Sequence, residues 1–175
     1  MVPSRLITPD DAPALAELLR SSREFLAPWE PIRAEDYFTV EGQRGDIDVS
    51  LDRHRQGGAL PHVILDEDGR VVGRITLNGI VRGAFQSCSV GYWLAEAHTG
   101  RGLATAAVRH ITTVAFEELG LHRVQAETLE HNVRSQRVLD RNGFVRYGLA
   151  PKYLKIAGRW QDCVMYQVLN PDADE

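Results

Sequence analysis

The 175-residue sequence predicts an α+β protein, a mixed and mainly antiparallel sheet flanked by helices. Three observations carry that expectation. Residues His62 to Ile80 form two β-prone runs around an Asp66-Glu67-Asp68-Gly69 turn, the pattern of a hairpin. Gly102 to Leu119 places Ala104, Ala107, Val108, Ile111, Val114 and Ala115 at steps of three and four, the period of an amphipathic helix. Ser87 to Leu94, rich in β-formers, and His122 to Leu129 read as strands that flank that helix, so hairpin and crossover connections occur in one chain.

The remaining elements follow in order. Ser4 to Thr8 reads as a first strand, and Thr8-Pro9-Asp10-Asp11 supplies a cap and an acidic first turn for a helix over Ala12 to Ser22, with Leu15, Leu18 and Leu19 as its apolar stripe. Phe25 to Pro31 contains two prolines, which lack an amide donor and restrict the preceding residue, so a rigid aromatic loop is expected there. A second helix over Gln43 to Arg55 ends at Gly57-Gly58. Gly69 provides the positive φ of the hairpin turn, and Gly120 stops the long helix. Asn132 caps a short helix to Arg141 that Asn142-Gly143 ends, and strands over Phe144 to Tyr147 and Asp162 to Leu169 complete the sheet.

A chain of 19.6 kDa with 43% hydrophobic residues builds a core without disulfides, burying roughly 70% of its unfolded surface. One domain is expected over residues 1–170, with an acidic tail over 171–175. Cys88 and Cys163 are too few for a secreted disulfide framework and read as small buried hydrophobes. No run of about 18 apolar residues is present and MVPSRLITPDD lacks the apolar core of a signal peptide, so no membrane role and a cytoplasmic location are expected. A net charge of −4 argues against direct nucleic-acid binding through phosphates. The six histidines show no ligand spacing, so no metal is expected.

The strongest chemical signal is the loop Thr99-Gly100-Arg101-Gly102-Leu103-Ala104-Thr105, which joins a strand to the long helix. Gly100 and Gly102 permit close backbone approach, and the free amides of a helix N-terminus attract a phosphate; the same glycines also suit a plain tight turn. Neither a G-x-G-x-x-G fingerprint nor a Gly-Lys-Ser/Thr motif occurs.

That loop, together with Glu127-Thr128-Leu129-Glu130-His131-Asn132-Val133-Arg134-Ser135 and Asn142-Gly143-Phe144, resembles a GNAT-fold N-acetyltransferase. Ser22 to Pro31, Val81 to Phe85, Lys152-Tyr153-Leu154 and Gly158 to Asp162 are similar to the RimJ/RimL group, most of all its RimJ branch, which acetylates N-terminal residues of ribosomal proteins. The resemblance covers nearly the whole chain. It implies acetyl-CoA as co-substrate, lying in a V-shaped gap between strands Ser87–Leu94 and His122–Leu129. Its pyrophosphate would sit on the amides of Thr99, Gly100, Arg101, Gly102, Leu103, Ala104 and Thr105, and its pantetheine arm near the backbone of Trp93 and Leu94. Asn132 and Ser135 would lie near the pantetheine and sulfur. Ala97 stands where many family members have Gln or Arg, so only backbone binding carries over there.

The implied reaction is direct acetyl transfer to the α-amino group of a protein N-terminus, a ribosomal protein by resemblance. It requires a neutral amine, oxyanion donors and a proton for the thiolate. An α-amino group is about 3.5 kcal/mol easier to deprotonate than a lysine near neutrality. Glu127, which shares a strand face with Gln125, is the candidate base, with Glu30, Glu96 or water as alternatives. Ser135 is the candidate proton donor, with Tyr153 or water as alternatives. Trp29, Glu30 and Tyr37, with Phe25, Phe38 and Tyr153, are candidates for the acceptor site. Two other readings remain open: a small amine as acceptor, or a cofactor-binding domain without turnover. A monomer or a homodimer fits equally. Residues 1–60 hold seven arginines against eleven acids, while residues 61–170 hold thirteen bases against ten acids. That asymmetry predicts a cationic acceptor on the N-terminal side and an anionic cofactor on the other.

Overall fold

The structure, a computed structural model, describes residues 3–172. Of the acidic tail expected over 171–175, residues 173–175 lie outside the described residues. Seven strands form one sheet: β1 (Ser4–Leu6), β2 (Ala59–Leu65), β3 (Val71–Val81), β4 (Ser87–Leu94), β5 (Arg123–Leu129), β6 (Val145–Ile156) and β7 (Arg159–Leu169). Their spatial order is β1-β2-β3-β4-β5-β7-β6. Neighbours are antiparallel except β4 and β5, which are parallel because the chain returns between them through helix α4 (Leu103–Thr113).

Strand alternation gives the sheet two faces. On one, Ile75, Leu77, Val90, Val124 and Ala126 pack against Val108 and Ile111 of α4, with Leu139 and Phe144 nearby. On the other, Val63 and Trp93 pack with Leu15 of α1 (Ala12–Ser21) and Ile47 of α3 (Val40–Arg55). A third cluster, Leu129, Ile156 and Cys163, lies beneath Trp29.

Several boundaries differ from the sequence expectation, each for a physical reason. The helix read as continuous from Gly102 to Leu119 widens into a π turn at Val114–Glu118, where Leu119 N donates to Val114 O at 3.0 Å. The apolar period is the same in both forms, so periodicity does not separate them. α3 begins at Val40 rather than Gln43, because Thr39 Oγ1 accepts from Gly42 N at 3.0 Å. The Phe25–Pro31 stretch is more ordered than a loop: α2 (Arg23–Leu26) is followed by a 3₁₀ turn, Ala27–Trp29, with Pro28 inside its first turn. The closing strands extend into a long hairpin turned at Ala157 and Gly158, both at positive φ. Pro151 is accommodated in the register shift between Ala150 and Leu154, where no ladder donor is required.

His62, on β2, is a buried polar group with an identified partner: its Nδ1 lies 3.1 Å from Ser4 Oγ, and its ring centroid is 6.2 Å from that of His110. Burial, followed by the charges of His110, His54 and Arg5, pushes its pKa from 6.5 down to about 4. Because the folded form prefers neutral imidazole, the stability it contributes is complete above the unfolded pKa of 6.5 and is lost as pH falls toward 4. The loss should be roughly 3 kcal/mol. Urea unfolding midpoints measured from pH 7 to 4 should fall steeply in the wild type and more shallowly in His62→Gln.

Candidate active site

β4 and β5 pair at Ser87 with Arg123, Cys88 with Val124 and Ser89 with Gln125, and at no later position. Beyond Ser89 the strands part, leaving the β5-facing edge of β4 without a strand partner. A cleft of about 620 Å³ occupies the opening. Val90 to Leu94 and Ala126 to Leu129 form its walls, α4 closes one end, and α5 (Val133–Asp140) lies alongside.

The loop before α4 supplies a cradle. Thr99 anchors it, its N and Oγ1 donating to Glu96 O at 3.2 and 2.9 Å. Gly100 and Gly102 adopt φ of +77° and +78°. A Cβ at either would meet nothing within 4 Å, so the left-handed backbone, not crowding, calls for glycine there. The first α4 amide to find an acceptor is that of Ala106, which donates to Gly102 O at 3.0 Å. The amides of Leu103, Ala104 and Thr105 are thus open at the cleft, at the positive end of the helix. Thr99, Gly100, Gly102, Leu103, Ala104 and Thr105 line the cleft, as do Trp93 and Leu94; the exposed Arg101 side chain lies outside it.

At the opposite wall Asn132 Oδ1 accepts from Ser135 N at 3.2 Å, capping α5. The Ser135 hydroxyl shares a hydrogen bond of 2.8 Å with the Tyr92 hydroxyl, which is also 3.3 Å from Ser135 O. Burial raises the Tyr92 phenol to about 12, with the Ser135 bond opposing that rise, so it is a protonated group at neutral pH. Sequence reasoning missed Tyr92. Strand alternation places it on the face of Cys88 and Val90, but its meeting with Ser135 depends on how α5 packs, 43 residues away.

The candidate bases separate clearly. Glu127 is half-buried, and Ser89 Oγ lies 2.9 and 2.8 Å from its two carboxylate oxygens. Burial raises its pKa, and the Ser89 bond partly counters this. Glu30 lies in the cleft wall, its carbonyl accepting from Ala157 N at 2.9 Å at the tip of the β6–β7 hairpin. Burial raises its pKa, opposed by Arg33 and Arg74. Glu96 is exposed and outside the cleft lining.

Around the cleft mouth, Phe25 and Trp29 line the wall, with Trp29 tilted on His131 at 5.3 Å. Tyr37 instead lines a second cavity of about 400 Å³, which shares Trp29, Glu30, Gly91, Tyr92 and Trp93 with the first. Phe38 lies under Arg23, 4.2 Å from its guanidinium carbon, and lines neither. Tyr153, 44% exposed, is outside both linings, although the Glu127 charge is close enough to help raise its pKa; Leu154 and Ile156 of the same strand reach the cleft. Burial raises the Cys88 thiol to about 12, so it is no nucleophile at neutral pH. Among the described residues no cluster of three or more His, Cys, Asp or Glu side chains is placed to hold a metal, and no helix is long and apolar enough to cross a membrane.

The fold and cleft define an acyltransferase class, and comparison with known proteins defines the family. Residues 5–145 match the acetyltransferase (GNAT) domain, and the chain belongs to this N-acetyltransferase family. It is 40% identical over 166 residues to the protein YjcK of Bacillus subtilis, spanning 94% of this chain and 92% of that one. It is 34% identical over 173 residues to the ribosomal protein uS5-alanine N-acetyltransferase of Escherichia coli, spanning 96% and 87%. The structure of Mycobacterium smegmatis RimJ in complex with a CoA-disulfide superposes with a TM-score of 0.92 at 31% identity, over 98% of this chain and 83% of that one.

The cradle makes a direct prediction. Gly102→Glu adds a side chain at positive φ and a negative charge at the open amides. Calorimetric titration with CoA should show affinity falling by about 100-fold or more, and wild-type affinity would remove the loop from the binding site.

Proposed function

We propose that this chain acetylates the α-amino group of a protein N-terminus, with acetyl-CoA as donor and a ribosomal protein as the class of acceptor. The observation that carries this reading is the partial β4–β5 pairing: it opens a passage through the sheet that joins an anion-binding loop on the α4 side to a polar cavity on the α3 side. The names of the uS5-alanine enzyme and of the CoA-bound RimJ support the donor and the acceptor class.

The residues present suit such a donor. The open amides of Leu103, Ala104 and Thr105 would hold its pyrophosphate, and the free edge of β4 at Trp93 and Leu94 would pair with its pantetheine amides. Acetyl-CoA supplies an acetyl group activated as a thioester. Everything else falls to the chain. Glu127, held by Ser89, and Glu30, at the junction of the two cavities, lie on the face that an amine approaches. Glu127 takes the amine proton as the N–C bond forms, and its raised pKa brings it closer to that of an α-amine. Ser135 and Tyr92 lie on the opposite face, where the C–S bond breaks. Ser135 gives its proton to the departing thiolate and recovers one from Tyr92, which exchanges with solvent. Placing base and acid on opposite faces keeps each proton from returning to its source.

Thiol release should occur with peptides bearing a free N-terminus and stop when that terminus is blocked. Turnover of small amines alone would remove the acceptor assignment. Tight CoA binding without thiol release from any acceptor would remove the enzymatic one.

Two sets of variants probe the proton path. Ser135→Ala should lower kcat by about 100-fold and Tyr92→Phe by about tenfold, with CoA affinity near wild type. The rate should rise with pH as Glu127 ionises, so the acid limb of the kcat profile should lie above the ordinary carboxylate range. Ser89→Ala removes a bond that favours the carboxylate and should move that limb to higher pH; Glu127→Gln should abolish it.

A further inference from the structure

The second cavity lies between α3, β3, β4 and the turn that carries Tyr37. Its charged lining is Glu30, Arg33, Asp46, Arg53 and Arg74, three cations against two carboxylates. The carboxylates are engaged. Arg74, whose side chain is only 12% exposed, pairs with Asp46 and also donates Nη2 to Ser50 Oγ at 2.6 Å. Glu30 faces Arg33, its Oε2 lying 4.0 Å from Arg33 Nε, and Arg33 also stacks over Tyr37 at 4.5 Å. The guanidinium of Arg53 has no ion pair or hydrogen bond among the described residues.

The other acids of the N-terminal 60 residues do not redress this balance. Glu17 pairs with Arg20, Glu35 with Arg23, Asp52 with Arg55 and Asp11 with Arg5. None of these four lines the cavity. The net negative segment therefore lends the recess two cations and two carboxylates, and Arg74 of β3 tips it to net positive, opposite to the cationic acceptor that the segment's charge count predicts.

The floor of the recess is shaped to receive chain. Arg74, Thr76 and Asn78 of β3 sit in register with Trp93, Gly91 and Ser89 of β4. Gly91 leaves a gap in this row that the fold does not require: a Cβ there would meet only Asn78 Nδ2, at 3.8 Å. Thr76 and Asn78 line the gap with polar atoms.

We propose that this cavity holds the first residues of the acceptor and selects a carboxylate within about positions 2 to 5, recognised by Arg53 with Arg33. The inference rests on the reading of the chain as a peptide α-amine acetyltransferase and names its substrate class, an N-terminally acidic peptide. An extended peptide advances roughly 3.3 Å per residue, so positions 2 to 5 lie roughly 3 to 13 Å along the chain from the amine, the range over which the carboxylate is placed.

Three matched peptides with free N-terminal alanine test it, carrying Glu, Gln or Lys at one of positions 2 to 5 in turn, with thiol release from acetyl-CoA as readout. For at least one position kcat/KM should fall about tenfold from Glu to Gln and further to Lys, mainly through KM, and the preference should shrink as salt rises. Arg53→Glu should reverse the order, favouring the Lys peptide. Equal rates for Glu and Gln at every position, or a preference for Lys in the wild type, overturns the acidic-peptide inference while leaving α-amine transfer intact. Failure of all three peptides to be acetylated overturns both.

Discussion

A strand edge presents backbone donors and acceptors that require partners, and the structure turns on one place where that requirement is left unmet by protein. β4 and β5 satisfy each other for three residue pairs and then diverge. The divergence opens the cleft, exposes the edge of β4 to a ligand, and lets groups from both faces of the sheet approach one point. The crossover through α4 makes the pairing parallel and brings the helix N-terminus to the same end of the strands. In the reaction proposed for the chain, donor site, acceptor site and proton path all depend on that one incomplete ladder.

The two faces then divide the chemistry. Odd-numbered residues of β4 and β5, Ser89, Gly91, Trp93 and Glu127, belong to the α3 side, and even-numbered ones, Val90, Tyr92 and Ala126, to the α4 side. A carboxylate kept half-buried but bonded to a hydroxyl, and a serine bonded to a buried phenol, are both polar groups whose desolvation is offset by one well-placed partner. Burial moves Glu127 and Glu30 in the same direction, toward easier protonation, which suits groups that exchange a proton with an amine.

Much of this was legible in the residues. The span Ser87–Leu94 reads directly as a strand because Val90, Tyr92 and Trp93 are β-formers, and Asn132 reads as a cap because its side-chain oxygen can accept from a free amide at a helix start. Gly100 and Gly102 were readable as positions of unusual backbone, which their φ values are. The π turn at Val114–Glu118 and the β6–β7 hairpin were not readable, the first because it shares its apolar period with an α-helix, the second because a proline within a strand reads as a break unless a bulge receives it. Charge was the least transferable signal: six of the eleven acids among residues 1–60 pair with arginines, and the uncompensated Arg53 appears only once those pairs are known.

By itself the sequence determined the strands and helices, the glycine-bearing loop ahead of α4, and, through its resemblance to a known family, the class of reaction. Those properties are local, set by periodicity, caps and backbone freedom within a few residues. Tertiary structure alone decided that Tyr92 meets Ser135, that Ser89 holds Glu127, that Tyr153 stays outside the cleft, and that Arg33 and Arg53 of an acidic segment join Arg74 around one recess. Each is a contact between elements, fixed by where strands part and helices pack, and no local rule encodes which side chains such packing brings within 3 Å of one another.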